Sequence, residues 1–124
     1  VIALFKLLVA EDESALRMLL ADTLEDEGYE VDLACDGEEA LERIAVGSYD
    51  LIVLDNMMPK YTGYEVIEKA RQLPDGKHLK ILMLTAKSQQ AERDRVLLAG
   101  ANDFMSKPFS PLALVQKIGE MLDA

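Results

Sequence analysis

The chain has a single cysteine, Cys35, among its 124 residues. No internal disulfide can form, which suits a reducing compartment and leads us to expect a cytoplasmic location. With 7 Gly and 4 Pro, 50% hydrophobic and 29% charged residues, the composition excludes collagen-like and disordered classes and fits a folded globular chain. Long apolar runs are missing. The opening "VIALFKLLVA" is interrupted by Lys6 and ended by Glu11-Asp12, short of the roughly 20 apolar residues a spanning helix needs. It also lacks the basic start and small-residue cleavage site of a signal peptide, so no membrane association is expected. Positive charge is in deficit, with 13 Lys and Arg against 23 Asp and Glu for a net charge of −10. Such a surface disfavours approach to nucleic-acid phosphates, and direct nucleic-acid binding is not expected. Repeats, low-complexity tracts and linkers are absent, and the length suits one domain over residues 1–124. Because residue 1 is Val, the chain is expected to begin inside a longer translated product.

What is present alternates. Apolar runs recur at 5–10 ("FKLLVA"), 29–34 ("YEVDLA"), 51–54 ("LIVL") and 81–84 ("ILML"), with "NDFMS" at 102–106 as a shorter strand candidate. Between them lie helical spacings. In 14–27, Leu16, Leu19, Leu20 and Leu24 make one stripe, with Ser14 placed to cap it. In 36–47 a helix is entered through Asp36-Gly37, places Ala40, Leu41 and Ile44 together and closes at Gly47. "YEVIEKARQL" carries Val66, Ile67, Ala70 and Leu73 before Pro74 and Gly76. "QQAERDRVLLAG" ends at Gly100, and "SPLALVQKIGEML", entered through Ser110-Pro111, shows Leu112, Val115, Ile118 and Leu122. Five strand-helix alternations with contiguous apolar strands predict a doubly wound α/β domain, its parallel sheet covered on both faces.

In such a sheet, ligands sit beyond the carboxyl ends of the strands. The residues there are Glu11 and Asp12 after the first strand, Asp55 after the third, Thr85-Ala86 after the fourth and Lys107-Pro108 after the fifth. Three close carboxylates repel one another by about 4 kcal/mol per pair at an effective dielectric near 20, so the rim requires compensation. Lys107 supplies one positive charge, and a hard dication, Mg²⁺, suits the oxygen donors.

Taken together, "ED" at 11–12, Asp55 followed by Met58-Pro59 and Gly63, Thr85-Ala86, and "KPF" at 107–109 resemble the CheY-like receiver domains of two-component response regulators. The resemblance spans essentially the whole chain. It implies a flavodoxin-like (βα)5 fold with strand order 2-1-3-4-5. It implies that Asp55 accepts a phosphoryl group from a phosphohistidine on a sensor kinase or phosphotransfer protein. Mg²⁺ would be held by Asp12, Asp55 and the Met57 backbone carbonyl, with Glu11 acting through water. Lys107 and Thr85 would contact the phosphoryl oxygens, and the Lys107-Pro108 bond would be cis. Thr85 and Phe104 would form a switch that reshapes the surface of helix 4, strand 5 and helix 5, where a partner, an output domain or a second copy in a phosphorylation-dependent dimer would dock. Met57 and Lys87 would tune the lifetime of the phosphorylated state. Self-phosphorylation and autodephosphorylation would be the only catalysis. The pair Glu11-Asp12 departs from the two Asp residues of many relatives, but the longer Glu arm still reaches a hydrated ion. Apolar Met57 cannot orient an attacking water, which predicts a comparatively long-lived phosphorylated state.

Each residue also has a plainer reading. Asp55 alone would be a turn residue, Glu11-Asp12 a solvated turn, Thr85 a cap, Lys107 a surface charge and Phe104 a packing ring. Cys35 and the methionines read as filling, the tyrosines as structural, and His78 lacks a second metal ligand. Two rival functions follow. A haloacid-dehalogenase-type phosphatase also uses a strand-end Asp with Mg²⁺, but needs a second Asp where Met57 stands. A receiver-like interaction module that is never phosphorylated would be expected to have lost part of the site, yet every member is here.

Overall fold

The structure, a computed structural model, describes residues 4–86 and 90–123. Five strands, β1 (Lys6–Ala10), β2 (Glu30–Ala34), β3 (Leu51–Asp55), β4 (Ile81–Thr85) and β5 (Asp103–Ser106), alternate with α1 (Ser14–Asp26), α2 (Gly37–Val46), α3 (Gly63–Arg71), α4 (Gln90–Leu98) and α5 (Pro111–Asp123). All strand pairs are parallel, in the order β2-β1-β3-β4-β5. The anticipated α/β class and order are therefore those of the molecule.

Alternation along the strands splits the core between the two faces. Leu8, Ile52, Leu54, Ile81 and Met83 meet α2, α3 and α4 through Ala40, Ile44, Val66, Ile67, Ala70 and Val96. Leu7, Val9, Val53, Leu82 and Leu84 meet α1 and α5 through Leu20, Leu24, Leu114, Ile118 and Met121. Every residue of β3 and β4 is buried, which is why these segments read as unbroken apolar runs. Truncating a buried leucine of this kind to Ala costs about 2–5 kcal/mol.

Several local expectations are corrected. Ser14 does not cap α1. It is the first helical residue, and the N-cap position is Glu13, whose side chain makes no capping bond. Only Glu11, Asp12 and Glu13 separate β1 from α1, so the chain is already helical at Ser14; the Glu13 amide instead donates to Glu11 Oε2 at 3.0 Å. On α1 the buried set is Leu20, Ala21 and Leu24, with Leu19 exposed, and on α5 Leu112 is 68% exposed while Leu114, Ile118 and Met121 are buried. A leucine-rich helix carries two overlapping stripes, and the sheet covers only one.

The third helix ends at Arg71, leaving Leu73 in the turn that follows, and "LPDGKH" contains a 3-10 turn, Gly76–His78. Cys35 lies exposed rather than in the core, as do Met18 and Met57. Gly47 closes α2 in extended geometry, and a side chain there would run into the Tyr49 ring at 2.7 Å. At the amino-terminal pole of the sheet, Arg71 donates to the carbonyls of Gly76 and Leu79 at 2.7 Å and of Gly100 at 2.6 Å, and to Asn102 Oδ1 at 3.0 Å. Gly100 adopts φ +114°, a conformation suited to glycine.

Candidate functional site

Parallel register brings the carboxyl ends of β1, β3, β4 and β5 to one rim: Ala10 pairs Leu54, Asp55 pairs Leu84 and Thr85 pairs Ser106. Glu11 follows Ala10 and is fixed by its amide donating to Ala34 O at 3.0 Å. It is 1% exposed. One carboxylate oxygen accepts from Glu13 N and the other from Lys107 Nζ at 3.1 Å. Asp12 is exposed beside it, and Arg17 holds this turn by donating to the carbonyls of Glu11 and Asp12 at 2.8 and 3.2 Å.

Asp55, the last residue of β3, is 3% exposed. Its Oδ1 pairs with Lys107 Nζ at 2.5 Å and its Oδ2 accepts from Met57 N at 3.1 Å. The loop beyond it is clamped. Gly37 N donates to Pro59 O at 3.2 Å, Gly63 N to Asn56 O at 2.8 Å, and Lys60, in the left-handed region at φ 71°, reaches Glu38 and Asp36 at 3.3 and 3.6 Å. A side chain at Gly37 would collide with the Tyr61 backbone, and one at Gly63 would meet Met83 Sδ at 2.7 Å. The stiff loop fixes the bearing of the Asp55 carboxylate. Thr62 caps α3 in a reciprocal capping box with Glu65; the spacing T-x-x-E in "TGYE" is the signal that identifies it.

Thr85 ends β4 and is buried, and its carbonyl accepts from Lys107 N at 2.7 Å, drawing the Lys107 backbone onto the rim. The Lys107-Pro108 peptide is cis. Phe104 sits on β5 opposite Met83, half-buried against the α2, α3 and α4 side of the core. Met57 is 71% exposed at the mouth. Lys87 lies outside the described residues. Thus Glu11, Asp12, Asp55, Thr85 and Lys107 come together, with Met57 beside them and Phe104 farther along β5.

Burial raises the pKa of both Glu11 and Asp55, and the hydrogen bonds from Glu13, Met57 and Lys107 offset this only in part. Burial alone would lower Lys107, yet its contacts with Asp55 and Glu11 outweigh that and raise it. The two directions agree physically: two buried carboxylates share one ammonium, so the ammonium is held charged while each carboxylate still feels the other. One oxygen from each of Glu11, Asp12 and Asp55 lies within 4.8 Å of the others. This is a hard-oxygen donor set with an unbalanced negative charge, the chemistry a small dication matches.

Sequence reasoning missed Arg17, Lys60 and a half-buried contact between α3 and α4. There Tyr64 Oη donates to Glu92 Oε1 at 2.5 Å, and Arg95 lies 4.4 Å from the Tyr64 ring centroid. The Lys60 and Tyr64 contacts span 22 and 28 positions, and the Arg17 bonds go to backbone carbonyls, so none carries a side-chain spacing pattern. Among the described residues no helix is long and apolar enough to cross a membrane.

Residues 7–119 match the family model for the response regulator receiver domain. The chain is 44% identical over 117 residues, 94% of its length and 52% of the other's, to the phosphate regulon transcriptional regulatory protein PhoB of Rhizobium meliloti. It spans about half the length of the curated relatives it matches. Among solved structures it is similar to the chemotaxis response regulator CheY4 of Vibrio cholerae, with TM-score 0.92, 33% identity, and coverage of 96% of this chain and 99% of that one. It is also similar to the receiver domain of the sensor histidine kinase PA1611 of Pseudomonas aeruginosa, which has magnesium coordinated in its active-site cleft, with TM-score 0.90, 30% identity, and coverage of 98% and 100%. With strand order, acidic rim and family match in agreement, the chain belongs to the response regulator receiver domain family.

Proposed function

We propose that residues 1–124 form one phosphoaccepting receiver domain in which Asp55 takes a phosphoryl group from a phosphohistidine of a sensor histidine kinase or phosphotransfer protein. The observation that carries this reading is the rim itself: Asp55 is buried at a strand end, bound to Lys107 and within reach of Glu11 and Asp12. Asp12 and Asp55, with the Met57 carbonyl, would hold Mg²⁺, and Glu11 would act through water. Bound there, the ion supplies neutralisation of phosphoryl charge.

The chain's own groups do the rest. Asp55 Oδ1, released by Lys107, attacks phosphorus in line as the P–N bond breaks; the electron pair returns to the donor imidazole, which takes a proton from solvent. Lys107 moves its ammonium from the Asp55 oxygen to the phosphoryl oxygens, and Thr85 Oγ1 donates to one of them. Shifting Thr85 opens space for the Phe104 ring, which links the rim to the face of α4, β5 and α5. Leu97 and Leu98 are exposed on α4, and Lys117 of α5 pairs with Asp103 of β5 at 3.1 Å. That face would engage a downstream partner, an output domain or a second copy. Because the relatives named as transcriptional regulators are about twice as long, an output domain outside these residues would be the DNA-binding part, while this acidic domain works in the cytoplasm and contacts neither DNA nor membrane.

The test is intact mass after incubation with acetyl phosphate, with Mg²⁺ or with EDTA. One phosphoryl adduct is expected on the wild type with Mg²⁺, and none with EDTA or on Asp55→Asn. No adduct on the wild type would favour a receiver-like interaction module that is not phosphorylated.

A further inference from the structure

The fourth helix is anchored unlike its neighbours. Where α3 buries Val66, Ile67 and Ala70 and α5 buries Leu114, Ile118 and Met121, the described side chains of α4 bury one apolar group, Val96, and one carboxylate, Glu92, which is 8% exposed. A carboxylate is costly to bury unless it is hydrogen-bonded, and Glu92 accepts from Tyr64 Oη at 2.5 Å. Arg95, one turn along α4, lies over the Tyr64 ring with its guanidinium 4.4 Å from the centroid. Tyr64 is thus held by two α4 side chains of opposite charge, one at its hydroxyl and one over its ring. Burial first and the Glu92 bond second push its phenol up to about 12, so it remains a donor at neutral pH.

The grip adjoins the phosphoacceptor. Tyr64, Glu92 and Arg95 line one side of a cavity of about 660 Å³ whose other walls include Asn56 and Met57, the two residues after Asp55, and Thr85 at the end of β4. Movement of Thr85 or of the loop after Asp55 therefore reshapes a cavity that Tyr64 and Glu92 also line.

We propose that Tyr64, Glu92 and Arg95 form a latch that holds α4 against α3 in the unmodified chain, and that loading of Asp55 is coupled to its release. The coupling half rests on the phosphoacceptor reading; the holding half does not. Coupling is reciprocal, so weakening the latch must also favour the loaded state.

Hydrogen-deuterium exchange read by mass spectrometry tests both halves, on wild type, Tyr64→Phe and Arg95→Ala, without and with beryllofluoride plus Mg²⁺. Without the probe, peptides of α4 in Tyr64→Phe should exchange about tenfold faster than in wild type, with α1 and α5 unchanged. Arg95→Ala, altered only at an exposed side chain, should show a smaller change of the same sign. With the probe, wild-type α4 should accelerate until the difference closes, and Tyr64→Phe should bind beryllofluoride more tightly than wild type.

Unchanged α4 exchange in both variants overturns the latch. A wild-type to variant difference of the same size with and without bound probe overturns the coupling. Failure of the wild type to bind beryllofluoride overturns the phosphoacceptor reading and the coupling together. It is told apart from failure of the latch by the α4 exchange of the variants, which needs no probe.

Discussion

Lys107 Nζ lies 2.5 Å from Asp55 Oδ1 and 3.1 Å from Glu11 Oε1, so a single ammonium serves two buried carboxylates. Removing it as Lys107→Met leaves both charges uncompensated. Breaking a fully buried pair costs about 3–5 kcal/mol; with Lys107 27% exposed, solvent screening lowers the expected loss to roughly 1–3 kcal/mol. Asp55→Asn should act oppositely, gaining roughly 1 kcal/mol by relieving the crowded charge. Urea unfolding at neutral pH measures both, and a loss of stability in Asp55→Asn would mean that attraction to Lys107 outweighs burial.

The same crowding makes a dication stabilising. At about ten times its dissociation constant, Mg²⁺ should raise the unfolding free energy by about 1.4 kcal/mol. Asp12→Ala should abolish most of this rise while leaving the ion-free stability nearly unchanged, because Asp12 is exposed. Thermal unfolding across a magnesium series would reveal equal stabilisation of both proteins if the ion binds elsewhere.

Met57 stands exposed at the mouth with a thioether that is only a weak hydrogen-bond acceptor for water. Met57→Glu places an acceptor there. It should shorten the half-life of the phosphorylated state roughly tenfold, the rate equivalent of one useful hydrogen bond. Loss of the adduct followed by intact mass gives the rate, and identical decay in both proteins would remove Met57 from any tuning role.

Two phenols should ionise late. Burial first, then hydrogen bonds to Asp32 and Glu92, push Tyr49 and Tyr64 up to about 12. A folded value above the ordinary 10.0 means that the stabilisation is complete below that pH and is lost as pH rises through about 12. In a near-ultraviolet alkaline titration, Tyr49→Phe and Tyr64→Phe should each delete one late step, and a step lost near pH 10 instead would contradict the assignment.

Arg71 reaches the carbonyls of Gly76, Leu79 and Gly100 together with Asn102 Oδ1. Lysine cannot reproduce that planar fork. Arg71→Lys should therefore lose roughly 2–4 kcal/mol, nearly as much as Arg71→Ala, in denaturant unfolding. Full rescue by lysine would show that charge alone is needed.

Much of this was legible in the sequence because it is local. The runs "LIVL" and "ILML" are unbroken since helices cover both faces of β3 and β4, and parallel register then carries Glu11, Asp55, Thr85 and Lys107 to one rim. Legibility fails where two local patterns compete or where the partner is remote. Leucines at 16, 19, 20 and 24 permit two stripes, and only contact with the sheet selects Leu20 and Leu24 over Leu19. Ser14 has the chemistry of a cap, but the turn before it is too short to leave it outside the helix. The bond from Tyr64 to Glu92 joins residues separated by 28 positions and that from Arg71 to Gly100 by 29, distances at which no spacing rule operates.

The moorings of Arg71 also constrain how the molecule can deform. Gly100, just past the carboxyl end of α4, is tethered through its carbonyl to Arg71 of α3, and at the other end Glu92 is held by the Tyr64 hydroxyl. If α4 moves as proposed, the Arg71 bond to Gly100 would make that end the pivot and the Glu92 end the part that travels. Such a lever would deliver a graded tilt to whatever rests on its outer surface.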